Sequence, residues 1–394
     1  MFKREKQVEI FSPLVLSNGD DERGVSSSQC QYRDGFIFIN VRYMILLCSG
    51  IFLLGTCIPN RYFGERLPAP TSSMVVKDDD DVIIVNKQQN SPLRSGPRIA
   101  WLMSFPNSGT SYTLDLVSKV SNMTLASNYG NEHYGKDGNS QPIFEGGPYW
   151  LDPDSDHRPI KTVLTKTHCG GYCNECHVQK YVETPHSFLV HCATAEGRER
   201  VNESEPFYSK RYVYDTNNVD RAVHLIRDPL DNMVSRYHLG IHKVTKQNST
   251  RLIERYTYTP EGFKNYCDDK EYTHEERASA YVDQDALRVL KEIPCHMDLF
   301  RYVQWHNLAF IATNDFLAIP THVLHYENYT NAFDETVASL LDFLELSDTG
   351  ELALFEEGKS YRTYYTFSQI QALRNATKKL ASSITWRHLH HYFE

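Results

Sequence analysis

The sequence is informative first through what it lacks. Its 394 residues contain no Gly-x4-Gly-Lys-Ser/Thr string, which argues against a kinase or another nucleoside triphosphate enzyme. There is no excess of positive charge either: the formal net charge is -9, whereas a nucleic-acid-binding domain carries a basic surface. We therefore expect no nucleic-acid partner, and any anion that the protein binds must be held by a local group of residues.

Cysteine is also scarce, with nine residues in the chain. Three of them lie in or near an apolar N-terminal segment, and six lie in the body of the chain: Cys169, Cys173, Cys176, Cys192, Cys267 and Cys295. An even number permits three disulfides in an oxidising compartment. Hydrophobic residues make up 41% of the chain, which is enough to bury one large core or two small ones.

The longest apolar run covers residues 36–58, and Arg42 is its only charged residue. At about 1.5 Å per residue, a helix of this length would span a hydrocarbon core of roughly 30 Å. We interpret it as a transmembrane signal-anchor that follows a cytoplasmic tail of residues 1–35, rather than as a buried core helix. The flanking arginines do not decide its orientation, because each side carries two near the span.

A stem and a folded head are expected after this span. Residues 59–97 are rich in Pro, Ser, Asn and Gln and include an acidic run, which is typical of a flexible tether. Residues 98–394 form the predicted lumenal domain. All five Asn-x-Ser/Thr sequons follow the apolar run, which favours a glycosylated, type II membrane protein: Asn122, Asn202, Asn248, Asn328 and Asn375.

Short apolar runs alternate with helical stretches in the head. The predicted strands are Ile99–Met103, Thr162–Thr165, Ala222–Ile226 and Thr321–His325, and one predicted helix covers Ala332–Leu346. Such alternation indicates an α/β fold, with helices on both faces of a central parallel sheet in three layers. Ligands of such folds bind beyond the carboxyl ends of the strands.

The first strand leads into Pro106-Asn-Ser-Gly-Thr-Ser111 before a predicted helix. Gly109 lets the backbone approach an anion closely, and the hydroxyl groups of Ser108, Thr110 and Ser111 add donors. The same residue types also cap helices, so the segment alone leaves both interpretations open.

The second and third strands each end in basic residues. Lys166 and His168 are two apart on an extended backbone and share a face, so a cation and a proton acceptor can reach one bound group. Arg227 ends the third strand ahead of Asp228 and Pro229, which suit the start of a helix, and Ser235 lies about two turns along it. Each group also has an ordinary structural explanation, as a surface lysine with a structural histidine or as an Arg-Asp pair.

Together these segments resemble the sulfotransferase family. Pro106-Asn-Ser-Gly-Thr110 is similar to its phosphosulfate loop, Lys166-Thr-His168 to its Lys-Thr-His, and Arg227 with Ser235 eight residues on to its 3'-phosphate segment. Tyr302-Val-Gln-Trp305 and Val323-Leu-His-Tyr-Glu-Asn328 resemble two later segments. The resemblance extends over about residues 98–346 and implies a P-loop-NTPase-like fold.

The resemblance also implies roles and a donor, 3'-phosphoadenosine 5'-phosphosulfate (PAPS). His168 would be the general base and Lys166 would stabilise the sulfuryl oxygens. Arg227 and Ser235 would bind the 3'-phosphate, and Tyr112 would stack on adenine. The 5'-phosphosulfate would be held by Ser108, Gly109, Thr110 and Ser111.

Two departures from the family pattern affect the expected activity. Asn107 stands where most members carry a loop Lys or Arg, so the catalytic set of His168, Lys166 and Asn107 has one cation fewer. A membrane-anchored subgroup similar to the WSC-domain sulfotransferases also lacks that lysine. The Arg-Lys-Gly-x-x-Gly segment that closes over the nucleotide is missing too, and the tail of residues 384–393 is a candidate for its place.

Two other hypotheses compete with an active sulfotransferase. One is a sulfotransferase-like nucleotide-binding protein that has lost catalysis through Asn107. The other is a zinc-bearing interaction module built on Cys169, Cys173, Cys176, His177 and the His191-Cys192 pair. We favour disulfides over zinc in an oxidising lumen and expect no metal. The expected partners are an acceptor glycan or glycoprotein and the Golgi membrane.

Overall fold

A computed structural model describes residues 97–130, 141–152, 162–171, 184–199, 208–270, 285, 288, 290–349, 355 and 360–394, with three short strands before residue 97. The predicted transmembrane span, the cytoplasmic tail and most of the predicted stem lie outside these residues. Within the described ranges, no helix has the length and apolar character needed to cross a membrane.

The described ranges contain an α/β fold around one larger sheet, as the sequence predicted. Its strands are β4 (Arg98–Ser104), β5 (Ala126–Ser127), β6 (Tyr149–Trp150), β7 (Thr162–Thr167), β10 (Val219–Ile226) and β11 (Thr321–His325). Their order is β11-β10-β4-β7-β5-β6, and every pair is parallel except β5 with β6. The four predicted strands are confirmed, and β4, β7 and β10 lie side by side, so their carboxyl ends meet at one edge.

Helices cover both faces of this sheet. They are α1 (Thr110–Ser121), α2 (Pro185–Cys192), α3 (Pro229–Lys246), α4 (Thr250–Arg255), α5 (Pro260–Lys270), α6 (His296–Phe310), α7 (Asn328–Asn331), α8 (Phe333–Leu344), α9 (Phe367–Leu380) and α10 (Ser383–Leu389). Along β4, Ile99, Trp101 and Met103 pack into one buried cluster, and Ala100 and Leu102 pack into another. Alternate residues of β4 therefore point to opposite faces of the sheet, and both faces are buried. The sheet and the helices on its two faces form the three predicted layers.

A second, smaller sheet has the order β3-β9-β8, from β3 (Ile84–Val85), β8 (Thr194–Glu199) and β9 (Tyr208–Val213). Two further strands, β1 (Lys77–Asp78) and β2 (Asp81–Val82), pair antiparallel. Turns of 3-10 helix at Thr216–Asn218, Arg362–Tyr364 and His390–Phe393 and a π-helical segment at Ile311–Phe316 complete the described elements.

Several histidines are buried between the sheet and the C-terminal helices. His224 Nε2 and His306 Nδ1 are 2.9 Å apart, and both residues have no exposed surface, at 0%. Burial, and then neighbouring histidines, lowers the pKa of His224 and that of His325 to about 3. These rings are therefore neutral in the folded chain, although a histidine in the unfolded chain titrates near 6.5.

We expect acid to destabilise this fold. Between pH 6.5 and about 3, these histidines bind more protons in the unfolded chain than in the folded chain. Their contribution to the free energy of unfolding is therefore complete above pH 6.5 and is lost as the pH falls. At pH 5, one fully buried histidine such as His224 lowers the free energy of unfolding by roughly 2 kcal/mol relative to its value above pH 6.5. Asp228 and Asp231 act in the opposite direction, because burial raises the pKa of both carboxyls, that of Asp228 to about 7.

Denaturant unfolding of the full-length chain at pH 7 and pH 5 measures this difference. His224→Gln should reduce it, because the amide cannot take up a proton. The exposed His242 is the matched control, and His242→Gln should leave the difference unchanged. Equal stability at the two pH values would contradict the prediction.

Candidate functional site

The first candidate segment forms a strand, a tight turn and a helix. β4 ends at Ser104 and α1 begins at Thr110, and Asn107 and Gly109 between them have φ values of 67° and 93°. No side chain among the described residues caps the N-terminus of α1. Backbone N–H groups at such an end bind anions. The geometry therefore favours the anion-binding interpretation of this turn over the capping interpretation.

Hydrogen bonds to buried hydroxyl groups hold the turn in place. Ser104 Oγ and Thr110 Oγ1 are 2.5 Å apart, so the two ends of the turn are tied together. From α3, Asn232 donates through Nδ2 to Pro106 O at 2.9 Å and to Ser108 Oγ at 3.1 Å. Ser108 and Asn232 are fully buried, whereas Ser111 is exposed at the first turn of α1. Sequence reasoning missed Asn232, for which the signal was its place on the helix after Arg227.

Gly109 is the one position in this turn where a side chain cannot be placed. A Cβ there would lie 2.2 Å from ring atoms of Tyr326, and the φ of 93° is in the left-handed region. Gly109→Ala must therefore displace either the turn or the ring. We expect the variant to lose at least about tenfold in affinity for an adenine nucleotide with a 3'-phosphate, measured by calorimetry. Gly240→Ala on α3 is the matched control, because its Cβ would also approach a tyrosine ring, that of Tyr266 at 2.7 Å, but away from the anion-binding turn. Equal affinity of the two variants would contradict the prediction.

His168 lies directly after β7 and is held in one orientation. Its Nδ1 is 2.8 Å from Ser104 O and 3.2 Å from Ser104 Oγ. Because a carbonyl oxygen only accepts, Nδ1 carries the proton, and Nε2 is left as the basic nitrogen. Trp305 donates through Nε1 to His168 O at 2.8 Å, and Tyr129 stacks on the imidazole ring. The ring is thus positioned to accept a proton at Nε2.

Positive charge surrounds this histidine. Burial, and then the charge of Lys166, lowers the pKa of His168 to about 3, and Arg236 contributes in the same direction. Lys166 is 5% exposed and His168 is 3% exposed, so both lie in the same shielded region. The imidazole is therefore neutral near pH 7, which is the form a general base needs. An anion bound nearby would offset the cations and raise the basicity of Nε2.

Arg227 ties the third segment to the first. Its Nη1 donates to Asn107 O at 2.8 Å, and its guanidinium group lies 5.0 Å from the ring centre of Tyr326. The structure therefore places the predicted 3'-phosphate residue beside the predicted phosphosulfate loop. The loop position that most relatives fill with a cation contributes its backbone oxygen here. At the start of α3, Asp228 is the N-cap and accepts from Leu230 N at 2.8 Å, as its position predicted.

Ser235 and Tyr112 lie at the margins of this arrangement. Ser235 is half-buried on α3, three residues after Asn232, and so shares the helical face that contacts the loop. Tyr112 is half-buried on α1, and its ring packs edge-to-face against Tyr326, Tyr329 and Phe355. The predicted stacking of adenine on Tyr112 would place the base against this aromatic cluster, and it stays a prediction.

One face of α6 supports the turns that follow β7 and β10, and its Tyr302 and Trp305 rings also pack against Phe105 at the start of the first turn. Its contacting residues follow the i, i+3, i+4, i+7 spacing of a helical stripe: Asp298, Arg301, Tyr302 and Trp305. Tyr302 donates to Arg227 O at 2.5 Å, Trp305 donates to His168 O, and Arg301 donates to Gly171 O at 3.4 Å. The Tyr and Trp of this segment are buried and donate hydrogen bonds to the backbone at two strand ends.

The C-terminal segments reach the turn that carries Arg227. Tyr392 donates to Glu327 Oε2 at 2.6 Å, and Glu327 Oε1 accepts from Asp228 N at 2.9 Å. Arg362 lies 3.9 Å from Asp228 Oδ2, and Tyr361 N donates to Asp231 Oδ1 at 2.7 Å. The tail therefore braces this turn, and Arg362, which sequence reasoning missed, brings a second guanidinium to it.

Two disulfides confirm part of the cysteine prediction. Cys169 is joined to Cys192 directly after His168, and Cys267 is joined to Cys295, which precedes α6. Cys173 and Cys176 lie outside the described residues. A disulfide sulfur is not a thiolate, so the zinc hypothesis loses two of its proposed ligands.

The fold and the site together define a class: an α/β protein whose parallel strands present an anion-binding turn, a lysine with a histidine, and an arginine at one edge. The family model of the sulfotransferase domain matches residues 97–393. The chain belongs to the sulfotransferase family and is a sulfotransferase, an enzyme of sulfuryl transfer, as the motifs predicted. A comparison with curated proteins returned no match. Sulfotransferases generally use PAPS as donor, which agrees with a turn whose geometry favours anion binding.

Proposed function

We propose that this enzyme transfers the sulfuryl group of PAPS to a hydroxyl group of a carbohydrate acceptor in the lumen of the Golgi. The observation that carries the proposal is the tautomer of His168. Its Nδ1 donates to Ser104 O beside the anion-binding turn, so Nε2 is the unprotonated nitrogen that can act as a base. Lys166, on the same strand, supplies positive charge to the same region.

In the proposed reaction, the acceptor hydroxyl oxygen forms a bond to sulfur. The bond between sulfur and the bridging phosphate oxygen breaks, and that oxygen leaves with the electron pair. His168 Nε2 takes the hydroxyl proton, and Lys166 stabilises charge on the sulfuryl oxygens. Arg227 and Ser235 hold the 3'-phosphate, and the turn from Ser108 to Ser111 holds the 5'-phosphate. Positioning and electrostatic stabilisation supply most of the rate enhancement.

Support for the lumenal location comes from the sequons and the disulfides. Four sequon asparagines fall in the described residues, and all four are exposed and so accessible for glycosylation: Asn122, Asn248, Asn328 and Asn375. Disulfides form in oxidising compartments such as the secretory lumen. A type II anchor through residues 36–58 is the corresponding proposal for membrane attachment.

Calorimetry of the full-length chain with 3'-phosphoadenosine 5'-phosphate (PAP), the donor product, tests the nucleotide site. We expect binding to PAP and much weaker binding to adenosine 5'-monophosphate, which lacks the 3'-phosphate. Labelled PAPS then tests transfer to a panel of glycans, peptides and lipids. Failure of the folded chain to bind PAP would overturn the proposal, and PAP binding without transfer to any acceptor would favour the nucleotide-binding protein instead.

A further inference from the structure

Two buried arginines lie close to the loop that carries His168. Arg236 on α3 and Arg301 on α6 each have side chains that are 7% exposed, and both contact one carboxylate, that of Asp298. Their distances to Asp298 Oδ1 are 3.3 Å and 3.7 Å. We call Arg236, Asp298 and Arg301 the arginine cluster.

The arginine cluster joins the two loops that carry the reaction. The guanidinium group of Arg236 lies 5.1 Å from the ring centre of Phe105, immediately before the anion-binding turn. Arg301 donates to Gly171 O, three residues after His168. A Cβ on Gly171 would lie 2.8 Å from the Pro106 ring, so the two loops touch here. The cluster therefore lies beside both the anion-binding turn and the loop that carries His168.

Positive charge dominates the immediate surroundings of Asp298. Burial raises the pKa of this carboxyl, yet Arg236 and Arg301 outweigh burial, and with a contribution from Lys270 they hold the pKa below its usual range. Lys166, on β7, adds a further positive charge beside His168. These four cations come from four different elements of a chain whose formal net charge is -9.

Two buried guanidinium groups on one carboxylate are costly if packing is their only role. Apolar side chains of similar size often fill such a space at least as favourably, so buried charges kept beside a proposed general base point to an anionic ligand. The donor already has the turn and Arg227 for its phosphates. The charge beside His168 also suppresses its basicity, and an anion bound in the cluster would relieve that effect.

We propose that the arginine cluster recognises a negatively charged group of the acceptor, a carboxylate or a sulfate ester near the hydroxyl that is modified. The acceptor is then an anionic glycan, and Arg236 and Arg301 are its specificity-determining residues. This inference rests on the proposed function. It goes further by naming the charge of the acceptor and the residues that select it.

Transfer from labelled PAPS to a glycan panel tests the inference with the full-length chain. The panel presents uronate, sialate and sulfated glycans beside their carboxyl-reduced or desulfated neutral forms. The wild-type chain should label the anionic members preferentially. Arg236→Gln should lower that labelling by about tenfold or more relative to the neutral forms, and Arg236→Lys should retain part of it.

Three controls make the result decisive. Arg255→Gln breaks the exposed pair between Arg255 and Asp269 and should leave labelling unchanged. Arg301→Gln repeats the test if Arg236→Gln does not fold. PAP binding is measured for every variant: no binding by the wild-type chain means that the proposed function has failed. PAP binding with equal labelling of neutral and anionic forms overturns this inference alone. PAP binding with no labelling of any panel member overturns both this inference and the proposed transfer.

Discussion

Replacing His168 with glutamine is expected to lower the rate of sulfuryl transfer by about 10²- to 10⁴-fold, the usual contribution of a general base. Glutamine can still donate to Ser104 O, which is the partner of His168 Nδ1 in the fold. It cannot take up a proton from the acceptor. The variant should therefore keep its stability and its affinity for PAP, and lose the chemical step.

Single-turnover transfer from labelled PAPS measures this loss, with calorimetry against PAP beside it. Exposed His242 provides a matched control, and His242→Gln should transfer at the rate of the wild-type chain. Transfer by His168→Gln within a few-fold of the wild-type rate would remove His168 from the role of base. Loss of PAP binding in the same variant would assign His168 to nucleotide binding.

Replacing Arg227 with alanine should have the second large effect, a loss of about 10²-fold in affinity for PAP. A charge-assisted contact to the 3'-phosphate contributes roughly 1.5–3 kcal/mol, and the same side chain also holds Asn107 O in the anion-binding turn. The variant should lose its preference for PAP over adenosine 5'-monophosphate, since that preference reports the 3'-phosphate alone.

The control for this prediction lies on the same strand. Arg221 is also on β10, but it contacts Phe343 O and Glu345 away from the site. Arg221→Ala should therefore bind PAP like the wild-type chain. An unchanged preference for PAP in Arg227→Ala would show that the 3'-phosphate is bound elsewhere, and Arg362 beside Asp228 would be the next residue to replace.

Asn107 shows how one substitution can be judged only in its surroundings. From the sequence, the missing loop cation suggested weakened catalysis. In the fold, the backbone oxygen of Asn107 accepts from Arg227, and Lys166 and Arg236 both act electrostatically on His168. Positive charge is thus present around the reacting groups, although the loop side chain itself is neutral.

The sequence determined the parts of this protein that depend on short stretches of chain. Short apolar runs, separated by helical stretches, specify β4, β7, β10 and β11. A strand that is buried on both faces needs apolar residues at successive positions, and such runs are visible in the sequence. The motifs at the ends of these strands can also be recognised from the sequence, because the functional residues of each motif lie within a few positions of one another. Parallel strands then bring such ends to one edge, which is why the turns that carry Ser108, His168 and Arg227 lie at the same edge of the sheet.

Only the tertiary structure decided which distant residues complete the site. Asn232 holds a hydroxyl group 124 positions earlier in the chain, and Trp305 holds a carbonyl group 137 positions earlier. The arginine cluster likewise requires α3 and α6 to pack side by side. Such partners carry no local pattern, because each is selected by how whole helices pack against the sheet and not by its neighbours in sequence.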